Sequence, residues 1–140
     1  RKFIIIMKNK DLGLLFLRLS TGVLMIPHGI NKLLNAEAFG FIQSVLEAKG
    51  LPTFISYGVF IGEIIAPLLI LLGFRARLGA LIMVFNGLST LYLAYSDKLL
   101  ATTPHGGWAP ELPSLFLFGA LTLLFTGAGK YGLSTRNKWD

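Results

Sequence analysis

The chain has 140 residues, of which 54% are apolar and only 14% charged, with a net charge of +6 and no cysteine. Charge this scarce, gathered in short patches beside long apolar runs, fits one integral membrane domain and excludes an ordinary soluble one. The missing cysteine excludes disulfides, thiolate metal sites and CxxC redox chemistry, and the placement of the basic excess beside apolar runs points to topology and anionic headgroups instead of nucleic acid.

The chain opens on Arg1, so Met7 is the expected natural start and residues 1–6 carry no weight. The first apolar segment, about Leu12–Leu34, holds Arg18, His28 and Lys32. Arg18 interrupts the run and no small-x-small cleavage site follows, so a membrane helix is expected and not a removable leader. From Asn35 to Gly50, the spacing of Phe39, Ile42 and Leu46 among Glu37, Glu47 and Lys49 predicts a short amphipathic helix at the interface, ended by Gly50 and Pro52.

A second span is predicted over Thr53–Leu72, with Glu63 near its midpoint, and it ends at Gly73-Phe74-Arg75-Ala76-Arg77. The third, about Leu78–Tyr95, carries Asn86 near its centre and Tyr92 and Tyr95 where an aromatic belt belongs. Residues Ser96 to Pro113 have the Pro, Gly and Thr content of an ordered, turn-rich connection and include His105, Trp108 and Glu111. The fourth span, Leu112–Ala128, is free of charge and stops at the glycine-rich stretch from Gly127 to Gly132, before a basic tail with Arg136 and Lys138.

The expected fold is therefore all-α: one transmembrane domain over residues 1–140, a four-helix bundle with a short interfacial helix between spans one and two. With the N-terminus cytoplasmic, the inner side holds nine basic residues (Arg1, Lys2, Lys8, Lys10, Arg75, Arg77, Lys130, Arg136, Lys138), or seven without Arg1 and Lys2, and the outer side three (Lys32, Lys49, Lys98). The positive-inside rule then puts both termini in the cytoplasm and the two longer connections outside.

A charge in the hydrocarbon costs roughly 2.5–3.5 kcal/mol on insertion scales, so Arg18 and Glu63 need partners, water or an escape to the interface. One reading pairs them directly or through water. The other sends Arg18 to the cytoplasmic interface and leaves Glu63 protonated or hydrogen-bonded to Asn86. Against the pairing, each side chain leans toward its own helix N-terminus, which tilts the two apart on antiparallel helices. Arg18, His28 and Lys32 share one face of the first helix, which should point inward. Gly58, Gly62 and Ala66 form a small-residue stripe on the second, read first as packing.

His28 and Lys32 lie near the outer end of their helix, on the side where His105, Trp108 and Glu111 emerge. Together they would suit a quinone headgroup, whose carbonyls accept hydrogen bonds and take up protons on reduction; two histidines would also suit haem. Taken singly, the same residues read as a helix-end histidine, a turn histidine and a belt tryptophan. Phosphate-cradling loops, nucleophile motifs and metal-spacing clusters are not found in the sequence.

The sequence resembles the DoxX family of small bacterial and archaeal four-span membrane proteins. The likeness rests on Leu17-Arg18-Leu19 with His28-Gly29-Ile30-Asn31-Lys32-Leu33, on Gly50-Leu51-Pro52, and on Gly62-Glu63 leading to Leu71-Leu72-Gly73-Phe74 with Arg75 and Arg77. Pro110-Glu111-Leu112 and Thr126-Gly127-Ala128-Gly129-Lys130-Tyr131-Gly132-Leu133 complete it. What the resemblance implies is an inner-membrane protein, by analogy the small subunit of a thiosulfate:quinone oxidoreductase or a membrane partner in a redox complex. The expected ligand-contacting residues are Arg18, His28, Lys32, Glu63, Asn86, His105, Trp108 and Glu111, with quinone as the expected cofactor, no metal, and a lipid bilayer plus a partner subunit or second copy as partners. Competing readings are a membrane scaffold or assembly factor and a small-solute transporter, the last disfavoured by the lack of an inverted repeat.

Overall fold

The computed structural model describes residues 7–140; the basic residues Arg1 and Lys2, which entered the topology count, lie outside them. Among the described residues the fold is all helical apart from an isolated bridge in one loop. We number the helices α1 (Lys10–Leu34), α2 (Ala36–Ala48), α3 (Thr53–Leu72), α4 (Ala76–Tyr95) and α5 (Glu111–Thr126). Helices α1, α3 and α4 are long and apolar enough to cross a membrane, and α5 is a shorter apolar helix of 16 residues. The bundle is that of a helical membrane protein.

Local chemistry sets the boundaries. Asn9 caps α1 by accepting from the Leu12 N–H. Asn35 ends α1 and starts α2, its side-chain oxygen accepting from Glu37 N and Ala38 N. Helix α2 then folds over the start of α3, where Phe39 stacks on Phe60 at 5.4 Å and leans against Tyr57 at 5.2 Å. Helix α5 stops at Thr126, two residues short of the predicted end, because Gly127 takes φ 76°, ψ −172° and leaves the helical region.

Helix α3 is not one regular α-helix, a feature the sequence reading did not anticipate. It opens as a 3₁₀ turn (Thr53–Tyr57), and Ile61–Ile65 form a π-turn closed by the Ala66 N–H on the Ile61 carbonyl. Pro67 explains the turn's position: it has no N–H to offer the Glu63 carbonyl four residues back. Gly29 of α1 lies against that carbonyl, so closely that a β-carbon there would stand 2.8 Å from it. Gly22, one stretch earlier, meets Leu71 and the Pro67 carbonyl in the same way. These α1 glycines, and not only the predicted α3 stripe, let the first two spans approach. In the stripe itself Gly62 and Ala66 face α4, whereas Gly58 faces open space.

The core is formed by Met25, Ala66, Ile70, Ala80, Met83, Val84, Leu117, Ala120 and Leu123, drawn from all four long helices. At one end of the bundle the segment after α5 folds back over it. Leu133 N donates to Leu72 O and Ser134 N to Gly73 O, which satisfies carbonyls left over at the end of α3, and Arg77 N, a free N–H in the first turn of α4, donates to Trp139 O. The α1 start, the α3–α4 turn and the tail thus share one end, as the topology count expected. Both longer connections lie at the other.

A lock holds the α3–α4 turn. Arg75 adopts φ 50°, a strained value for a residue with a side chain. Asp140 compensates by accepting both the Arg75 N–H (3.0 Å) and its guanidinium (2.9 Å), with further hydrogen bonds from Ser134 Oγ and Asn137 N. Burial pushes the Asp140 carboxyl up, but these hydrogen bonds outweigh it and hold the group well below the usual carboxylate range. A depressed pKa stabilises the charged, docked form above the unfolded value of about 3.9. That stabilisation is lost as pH falls below it. Limited proteolysis should therefore show the tail protected at neutral pH and released in strong acid, and Asp140→Asn should release it at neutral pH; equal protection of wild type and variant would refute the lock.

Candidate functional site

Lys32, at the outer end of α1, turns back into the bundle and binds both carboxylate oxygens of Glu63 at 2.6 Å. The pairing follows from side-chain direction. On α1, running outward, Lys32 leans back into the membrane; on α3, running inward, Glu63 leans outward, so the two converge. The Glu63 side chain is 8% exposed and that of Lys32 23%, which makes this a largely buried ion pair.

This corrects the expected Arg18–Glu63 pair. Arg18 is 2% exposed and points the other way, under the folded-back tail, where Nη1 donates to Ala128 O (3.3 Å) and Nη2 to Tyr131 O (3.5 Å). Its Nε has no partner among the described residues. Arg18 belongs to the end cap and not to the site. Glu63, for its part, bonds to Lys32 and not to Asn86.

The ion pair forms one wall of a cavity of about 180 Å³, which His28, Asn86, Thr90 and Tyr95 also line. Met25, Met83 and Phe116 supply its apolar walls. His28 stands edge-on to Phe116, ring centroids 5.8 Å apart. Thr90 spends its hydroxyl proton on the Asn86 carbonyl at 2.9 Å. The Asn86 side-chain amide makes no hydrogen bond among the described residues, and it is held in place by Gly62, where a β-carbon would stand 2.7 Å from it. A lysine ammonium with one N–H left over, a carboxamide and an imidazole thus face a space walled by methionine and phenylalanine.

His105, Trp108 and Glu111 are not brought into this cavity, which corrects the expected convergence. Their loop closes on itself: Thr102 and Trp108 form an antiparallel bridge, Thr103 N donates to Gly107 O, and the Trp108 indole donates to Leu99 O. His105 is exposed, and so is Glu111, which lies beside Gly107 at the start of α5. The next residues, Leu112 and Pro113, close the cavity instead. Among the described residues no group of three or more His, Asp or Glu side chains is placed to hold a metal. Thr90, which sequence reasoning did not single out, and Tyr95, read there only as a belt residue, also line the site; Thr90 lies four residues from Asn86, on the same face of α4, and that spacing was the available signal.

A second, larger space adjoins the first. It is an apolar groove of about 590 Å³ between α2, α3 and α4, and Lys32, Asn86, Thr90 and Tyr95 line both.

Compared with known proteins, residues 13–96 match the family model DoxX. The Bacillus subtilis (strain 168) protein named "Putative oxidoreductase CatD" is 31% identical over 121 residues, covering 86% of this chain and 84% of that protein. No solved structure matches.

Proposed function

Because the chain belongs to the DoxX family, and because it sets a buried ion pair beside a carboxamide with hydrogen bonds to spare, we propose that it is the quinone-binding membrane subunit of an oxidoreductase. It works in the inner membrane of a bacterial or archaeal cell, with its termini cytoplasmic and with a partner subunit that delivers electrons. The Lys32–Glu63 pair in the wall of a ring-sized cavity is the observation that carries this reading. The oxidoreductase name of the Bacillus relative supports the reaction class.

The size and chemistry of the cavity support a quinone as its ligand. Engineered cavities of about 150 Å³ hold benzene, so the 180 Å³ here admits one substituted six-membered ring. A quinone supplies a two-electron acceptor that takes up two protons on reduction. Lys32 Nζ holds a proton at the polar wall and keeps one N–H beyond the two spent on Glu63. Glu63 balances the charge, so the ammonium can remain at membrane depth. The Asn86 amide and the His28 imidazole offer further hydrogen bonds that orient a carbonyl-bearing ring, while Met25, Met83 and Phe116 give its faces apolar contacts.

A short-chain quinone at about one hundred times its Kd should add about 2.7 kcal/mol to stability, read as a raised melting temperature of the purified protein. His28→Ala and Asn86→Leu should each weaken binding about five- to tenfold, the worth of one hydrogen bond, while leaving the unliganded melting temperature nearly unchanged. If no quinone shifts the wild type, the scaffold reading takes over. In that case bulky changes at Gly62 should break a complex while His28→Ala leaves function intact.

A further inference from the structure

Resting on the quinone reading, we infer that the groove between α2, α3 and α4 holds the isoprenoid tail of the molecule whose ring occupies the polar cavity, so the site selects membrane-borne quinones. The two spaces share Lys32, Asn86, Thr90 and Tyr95 as lining, so a molecule reaching across those residues would have a polar end and an apolar arm. The arm is walled by aliphatic side chains such as Ile42, Leu46, Val59 and Leu93. Its floor is open at Gly58, where a β-carbon would meet nothing within 4 Å, although the same stripe is tightly filled one turn later at Gly62. A helix contact would have filled that gap.

Charge at the junction selects the occupant. Lys32 and Glu63 sum to zero, so an anionic phospholipid headgroup finds no net positive charge there, whereas a neutral ring with two carbonyl acceptors matches the N–H groups of Lys32 and Asn86. A free lipid chain also gains little by leaving a bilayer as apolar as the groove. A chain tethered to a bound ring enters as an intramolecular event and gains from the ring's position.

The test compares two quinones with the same ring, one tailless and one carrying a short isoprenoid tail, bound to the full chain in nanodiscs. The tail's contribution is the ratio of the two Kd values, and comparing that ratio between wild type and Gly58→Leu cancels partitioning into lipid. Filling the floor should exclude the tail from the groove and bring the ratio down toward the value that partitioning alone gives, while the tailless quinone binds both proteins equally, which also reports that the variant is folded. Ser89→Leu, on the α4 wall of the groove, should act in the same direction. An unchanged ratio in both variants overturns the tail assignment and leaves the ring site standing. Loss of the ratio on adding excess phospholipid overturns it in favour of a lipid site. Failure of both quinones to bind wild type overturns the ring site and the tail assignment together.

Discussion

Lys32→Met should destabilise the protein by about 3–5 kcal/mol, the cost of leaving a buried carboxylate without its partner. Glu63 has little alternative: its side chain is 8% exposed, and Gly29 closes the backbone side. Glu63→Leu should cost less, because the Lys32 side chain is 23% exposed and a long ammonium stem can swing outward to water. The double variant Lys32→Met/Glu63→Leu should recover most of the loss, since apolar pairs of similar volume often replace buried ion pairs at no cost. Unfolding midpoints in detergent for the four proteins would give the coupling energy. A strongly non-additive cycle is expected, and simple additivity would show that the two residues do not act as a pair. The double variant should be stable and unable to bind quinone, which separates the pair's functional role from its structural one.

The second large effect is expected at Arg18. Its guanidinium is the buried post under the tail, and hydrogen bonds to a charged group contribute about 1.5–3 kcal/mol, so Arg18→Met should undock residues 127–140 at a cost of that order. Helices α1 to α5 should persist, since the core cluster does not include Arg18. Trypsin should then cut at Lys130 and Arg136 far faster than in the wild type while circular dichroism stays unchanged. Equal cutting rates would mean that the Asp140 and backbone contacts hold the tail without Arg18.

Much of this architecture was legible because apolar runs long enough to span a bilayer leave little choice, and because Lys and Arg cluster on one side of them. Asn35, Gly50 and Gly73 marked their turns correctly. The partner of Glu63 was harder to read. Arg18 and Glu63 both fall inside predicted spans, whereas Lys32 counts among the outer-side basic residues. What decides the pairing is the lean of side chains along antiparallel helices, which tilts Arg18 away from Glu63 and Lys32 toward it. The π-turn was also hidden, although Pro67, four residues after Glu63, was its signal. Arg18's true partners are backbone carbonyls of a tail more than 100 residues away in sequence, and no local pattern announces such a contact. His105, Trp108 and Glu111 were drawn toward the site by sharing its side of the membrane. The loop's own bridge and hydrogen bonds keep them apart from it.

The most direct measurement of the central claim is an experimental map of the protein with a quinone analogue bound. Ring-shaped density between His28, Lys32, Glu63 and Asn86, within hydrogen-bond distance of Lys32 Nζ or the Asn86 amide, is the expected result. Density for the analogue only on the lipid-facing surfaces, with the Lys32–Glu63 cavity unchanged and closed to it, would contradict the account.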